Sequence, residues 1–141
     1  MLEEDFREYI AVYNYGDLEA TSEFWAEDIT LVLPGPRENV HGREYVIEFF
    51  EGLMAVVQEE IEIEMVFCDP EERHIATELK STFTALEDLP NFHYGSLKEG
   101  EQATNRMFIH YDVNEQGQFV ENRVAHRDPS PSMAPGTRTG I

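Results

Sequence analysis

Thr104-Asn105-Arg106-Met107-Phe108-Ile109-His110-Tyr111, then Asn114-Glu115-Gln116-Gly117, then Phe119-Val120-Glu121-Asn122-Arg123-Val124-Ala125-His126 is the stretch that decides the fold, because it reads as strand, turn, strand. The hairpin spans residues 102–127. Gly117 closes a three-residue loop at the place where a type I turn with a bulge needs positive φ. That turn sets Asn114 opposite Gln118, and counting back pairs Tyr111 with Glu121, Ile109 with Arg123 and Met107 with Ala125, with Asn105 further along the same face. Such a face is mostly apolar yet carries a carboxylate, a guanidinium, a phenol and an amide, so it is the candidate pocket wall. The opposite face would hold Phe108, Val120 and Val124 among Arg106, His110, Asn122 and His126. A half-apolar outer face predicts a partner sheet, and a homodimer is the simplest one.

Upstream, Leu2, Phe6, Tyr9, Ile10 and Tyr13 recur at helical spacing up to Gly16. Asp17 then reads as the N-cap of a short second helix with Leu18, Thr21 and Phe24-Trp25 on its buried side, ended by Glu27-Asp28. Ile29-Thr30-Leu31-Val32-Leu33 is a β run, residues 34–42 are a loop, and residues 43–58 form the principal helix with Val46, Phe49, Phe50, Leu53, Met54 and Val57 on its apolar face. Period-two alternation over residues 61–67 points the glutamates outward, and a further long strand covers residues 74–86. Residues 89–100 form a loop with Phe92, His93 and Tyr94, either a lid or a loop packed on itself. This order predicts an α+β fold with one curved antiparallel sheet wrapped on helices over residues 1–127 as a single domain. Residues 128–141, rich in Pro, Gly and Ser, form a C-terminal tail.

Composition bounds the function. A chain of 141 residues with 41% hydrophobic residues can bury a core without disulfides, and Cys68 is its lone cysteine, read as a structural thiol. The net charge of −19, with ten Lys and Arg against 29 Asp and Glu, argues against a nucleic-acid partner. No apolar run reaches membrane-spanning length and the first residues are acidic, so no membrane partner and a cytoplasmic location are expected. The five histidines lack ligand spacing, so no metal is expected, and there is no phosphate loop or nucleophile motif.

The segments Tyr9-Ile10-Ala11-Val12-Tyr13-Asn14-Tyr15-Gly16-Asp17, Phe24-Trp25-Ala26-Glu27-Asp28-Ile29, His41-Gly42-Arg43-Glu44 and Gly117-Gln118-Phe119 resemble the nuclear transport factor 2-like superfamily. Within it the chain is similar to SnoaL-like polyketide cyclases and ketosteroid isomerases over residues 3–127. The resemblance implies a conical pocket between the long helix and the concave sheet, and a sheet-to-sheet dimer. Set against ketosteroid isomerases, Tyr9 falls near the oxyanion-holding tyrosine, while the base position lands at Leu33 and the protonated acid near Asn105. Set against SnoaL-like cyclases, Glu121 lands at the acid/base carboxylate and Asn105 where a histidine is expected.

The site reading follows from both routes. Glu121 would be the acid/base, with Asn105, Tyr111 and Arg123 orienting an oxygen or stabilising its charge. Tyr9, Arg37, His41, Met107, Ile109, Phe119 and Phe50 would line the substrate pocket. The other reading of Glu121 and Arg123 is a structural ion pair. The function expected is cofactor-free isomerisation, cyclisation or dehydration of an apolar, oxygenated polyketide- or terpenoid-like molecule. The alternative is a non-catalytic dimeric module that binds a small ligand.

Overall fold

The computed structural model describes residues 1–128, and the expected tail from Pro129 onward lies outside the described residues. Helix α1 (Glu3–Tyr15) begins where Asp5 accepts from the Leu2 amide and stops at Gly16, whose φ of 89° admits no side chain comfortably. Asp17 caps α2 (Leu18–Ser22) by accepting from the Ala20 amide at 3.0 Å. The helix ends sooner than expected. Trp25 opens strand β1 (Trp25–Val32) rather than closing a helix, and it is fully buried beside Phe50 at a ring spacing of 5.3 Å. A two-residue strand β2 (Val40–His41) follows inside the expected loop, then α3 (Arg43–Val56), β3 (Val57–Asp69), β4 (His74–Ala85), β5 (Gln102–Val113) and β6 (Phe119–His126).

The six strands make one curved sheet in the order β2-β1-β6-β5-β4-β3. It is antiparallel except between β1 and β6, which run parallel. The fold is α+β, with the helices packed inside the curve of the sheet. Phe6, Tyr9 and Ile10 of α1 and Val46 of α3 meet Ile75, Leu79, Tyr111, Val113 and Phe119 in the core. Burying these side chains away from water is the main source of stability. Strand β3 is an edge, and α1 covers it. The Asn14 side chain donates to the Ile61 carbonyl and accepts from the Ile61 amide, both at 2.8 Å, satisfying backbone groups that an edge strand would leave open.

Two register details govern where side chains point. The last turn forms as the sequence predicts: Gly117 has φ 78° and the Asn114 amide bonds the Gln118 carbonyl at 2.8 Å. Val113 pairs with Phe119, but Asp112 pairs with Glu121, so Val120 is an extra residue in a β-bulge. Every pair beyond it is displaced by one from the expected count. The second detail is the end of α3. The helix stops at Val56 rather than at 58, and β3 starts at once, which gives Glu59 the inward parity of Val57 and Ile61.

Candidate functional site

Between the concave face of the sheet and helices α1 and α3 lies a cavity of about 230 Å³. Its walls are largely apolar, from Leu31, Phe49, Phe50, Leu53, Phe83, Met107, Ile109 and Val124, with a few polar groups among them. The loop of residues 89–97 forms part of the wall. Phe92 and Tyr94 pack on Phe83 at 5.4 and 5.1 Å, so the loop both packs on itself and closes the cavity side.

The bulge at Val120 moves three expected residues, Glu121, Arg123 and Ala125, off this wall. Tyr111 faces Asn122, Ile109 faces Val124 and Met107 faces His126. Glu121 and Arg123 share the convex face with Asp112, where Arg123 binds Asp112 at 2.6 Å and Glu121 at 2.5 Å. His74 joins Asp112 at 2.6 Å. This is the ion-pair geometry. The hydrogen bonds from Arg123 lower the proton affinity of Asp112, and the same bonds raise that of Arg123. His41 is also outside the cavity, where its Nδ1 meets Thr30 Oγ1 at 2.7 Å on the exposed side of β1. Phe119 is fully buried in the core rather than lining the cavity.

The other expected residues do converge. Tyr9, Arg37, Phe50, Met107, Ile109 and Tyr111 line the cavity. Asn105 is buried behind it and donates to His126 Nδ1 at 3.1 Å. Tyr9 accepts from the Trp25 indole at 3.1 Å, and burial raises the proton affinity of its phenol. Tyr111 is raised likewise, first by burial and then by the neighbouring Tyr9.

The residue that the sequence reading missed is Glu59, the carboxylate that lines the cavity. Tyr13 donates its hydroxyl to Glu59 Oε1, and Ser81 donates to Oε2 at 2.7 Å. Burial holds the proton affinity of Glu59 above the ordinary carboxylate range, although both hydrogen bonds pull the other way. Extending the period-two pattern back from Ile61 through Glu59 to Val57 was the available signal. Asn122 also comes to the wall through the bulge, with its Oδ1 buried and unpartnered among the described residues. A raised carboxylate in an apolar cavity, with phenols and amides near it, can take or give a proton and hold an oxygen.

No residue cluster with metal-ligating composition occurs among the described residues. Among them also, no helix is long and apolar enough to cross a membrane.

Solved structures of the same shape are numerous. A candidate polyketide cyclase from Pseudomonas putida superposes with a TM-score of 0.71 at 18% identity, over 84% of this chain and 86% of that one. SalBIII, an epoxide hydrolase/cyclase-like enzyme of pyran ring formation in the polyether salinomycin, gives 0.73 at 21% identity over 88% of both chains. RV0760c of Mycobacterium tuberculosis, solved in complex with estradiol-17beta-hemisuccinate, gives 0.68 at 18% identity over 84% of this chain and 87% of that one. At these identities the likeness is one of fold, the nuclear transport factor 2-like cone. No curated protein matches the chain. The SnoaL-like domain model matches residues 6–122. The cone of helices and curved sheet, the cavity between them and this match over most of the chain agree: the protein belongs to the SnoaL-like domain family.

Proposed function

We propose that the protein is a cofactor-independent enzyme of the isomerase, cyclase or dehydratase type, acting on a small apolar, oxygenated molecule held in the cavity. Glu59 is the group that moves the proton. The observation that carries this reading is a carboxylate with raised proton affinity on an otherwise apolar cavity wall. In its ionised form each oxygen keeps a lone pair beyond the one bonded by Tyr13 or Ser81, so it can still take a proton from carbon. Tyr9 and Asn122 line the same cavity, and this reading assigns them the substrate oxygen as charge develops on it. In this reading Tyr111, on the wall, keeps its role toward the substrate oxygen, Asn105 positions the His126 ring from behind the wall, and Glu121 and Arg123 are an ion pair on the convex face.

A polyketide- or terpenoid-like skeleton suits the apolar lining, and among the named neighbours SalBIII has a role in pyran ring formation of a polyether and RV0760c was solved in complex with a steroid derivative. A homodimer through the convex face goes with this reading. Met65, Phe67 and Phe108 are exposed on that face and are what such a contact would cover.

The test is proton exchange rather than a guessed product. Incubated in deuterated water, 2-tetralone should exchange its α-protons faster with the protein than without, and Glu59→Gln should reduce the protein-dependent rate by about a hundredfold or more. No exchange above the solvent rate for 2-tetralone and related ketones would reject the catalytic reading.

A second reading is a small-ligand-binding module without catalysis. It is favoured by one observation: both oxygens of Glu59 already accept a hydrogen bond from the protein. It predicts saturable ketone binding with no exchange.

A further inference from the structure

Arg37 differs from every other arginine among the described residues. Arg7 binds Glu3, Arg43 the Trp25 carbonyl, Arg73 Glu115, Arg106 Glu64, Arg123 Asp112 and Arg127 Glu78. Arg37 has no hydrogen bond or ion pair among the described residues, and its guanidinium lies 5.6 Å from the centre of the Phe49 ring, on the cavity lining. Lys80 and Lys98 also lack an ion pair among the described residues, but they are not on the cavity lining, so Arg37 is the unpaired cation that faces the cavity.

Its surroundings sharpen the point. His93 and Tyr94 line the same cavity, with their rings 4.9 Å apart, and the His126 ring lies 5.9 Å from His93 and 5.5 Å from Tyr94. His93 Nε2 is buried with no partner among the described residues. His126 keeps one nitrogen engaged by Asn105. Burial, and after it the charge of Arg37, lowers the proton affinity of both histidines, with no carboxylate offsetting it on either. The same charge pulls against the burial that raises Tyr94 to about 12. Positive potential has therefore collected at one part of an apolar cavity in a strongly acidic protein, beside a buried nitrogen that lacks a partner.

We propose that Arg37, with His93 and His126 beside it, binds the carboxylate of an amphiphilic ligand, an apolar monocarboxylic acid whose rings or chain fill the cavity. The proposal rests on the reading of this cavity as a ligand site and names the class of ligand it takes. A planar carboxylate accepts two parallel N–H groups from a guanidinium, and His93 in its Nε2–H tautomer supplies a third donor. Glu59 enforces the direction. It lines the same cavity, and in its ionised form it repels the ligand's carboxylate while Arg37 attracts it. The apolar body then fills the rest of the cavity.

The test uses 2-naphthoate and its neutral counterpart 2-naphthamide, titrated by fluorescence against the wild-type protein and Arg37→Gln. Wild type should bind the carboxylate about tenfold or more tighter than the amide. Arg37→Gln should lose that preference while its affinity for 2-naphthamide stays within about twofold, since the apolar contacts are unchanged. Equal binding of the two probes by wild type, or a preference that survives in Arg37→Gln, overturns the proposal and leaves the cavity reading standing. Binding of neither probe defeats both.

Discussion

Asn122, and not Glu121, stands opposite Tyr111 across the β5–β6 ladder. One extra residue, Val120, exchanges a carboxylate for an amide on the cavity wall and puts the carboxylate outside beside Arg123. Glu121→Gln should accordingly leave naphthamide binding unchanged. Its effect on stability should be within about 1 kcal/mol, because a partly exposed ion pair is screened by solvent and Asp112 still holds Arg123. Urea denaturation and ligand titration of the same variant check both halves.

The buried carboxylate gives a pH dependence of opposite sign to the usual one. A proton affinity raised in the folded state means that, above the unfolded-state value near 4.3, the native protein holds a proton that the unfolded chain has lost. Stability contributed by protonated Glu59 is therefore complete at low pH and declines as pH rises from there to the folded-state value. Glu59→Gln lacks this slope. The difference in unfolding free energy between Glu59→Gln and wild type should grow with pH across that window and then level off, as measured by urea denaturation at a series of pH values.

Asn14 closes the edge of β3 with two hydrogen bonds to Ile61, and nothing else in α1 offers the same pair of groups there. Asn14→Ala should cost about 1–3 kcal/mol in chemical denaturation. The uncovered edge should also make the variant associate at high concentration, which light scattering would detect. A stable, monodisperse variant would mean that packing of Phe6, Tyr9 and Ile10 alone seats the helix.

Much of the fold was legible because periodicity and turn chemistry agree along the chain. Gly16 and Gly117 take the positive φ that their lack of a side chain permits, Asp17 caps its helix, and the helices and long strands follow in the expected order. Two boundaries were not legible. Phe24-Trp25 reads as a helix face, yet Trp25 pairs with Phe119 across a parallel ladder that leaves no local trace in sequence. The junction of α3 with β3 has no loop, so Val57 reads as the helix end and Glu59 falls between the expected helix and strand, when both belong to the strand start.

The site was harder to read than the fold for the same physical reason. A strand reverses the facing of all its residues with one inserted residue, and a bulge has no signature as strong as a glycine turn. The residues before the bulge, Asn105, Met107, Ile109 and Tyr111, kept their expected face, and those after it did not. The fold nevertheless supplies an inward carboxylate from another strand, Glu59 of β3. Its donors, Tyr13 and Ser81, are separated from Glu59 by 46 and 22 residues, beyond the reach of local pattern.

Those donors offer a graded check. Tyr13→Phe and Ser81→Ala each remove a hydrogen bond that favours the ionised form of Glu59. Each should raise the titration midpoint of Glu59 further, and the double variant should raise it more than either alone.

The most direct measurement is the carbon-detected NMR titration of the glutamate side chains, with the Glu59 resonance assigned by its absence in Glu59→Gln. The account predicts a midpoint for Glu59 displaced above those of the exposed glutamates, together with a resonance that shifts when naphthamide fills the cavity. A Glu59 resonance that titrates with the exposed glutamates, and stays in place when the probe binds, would contradict it.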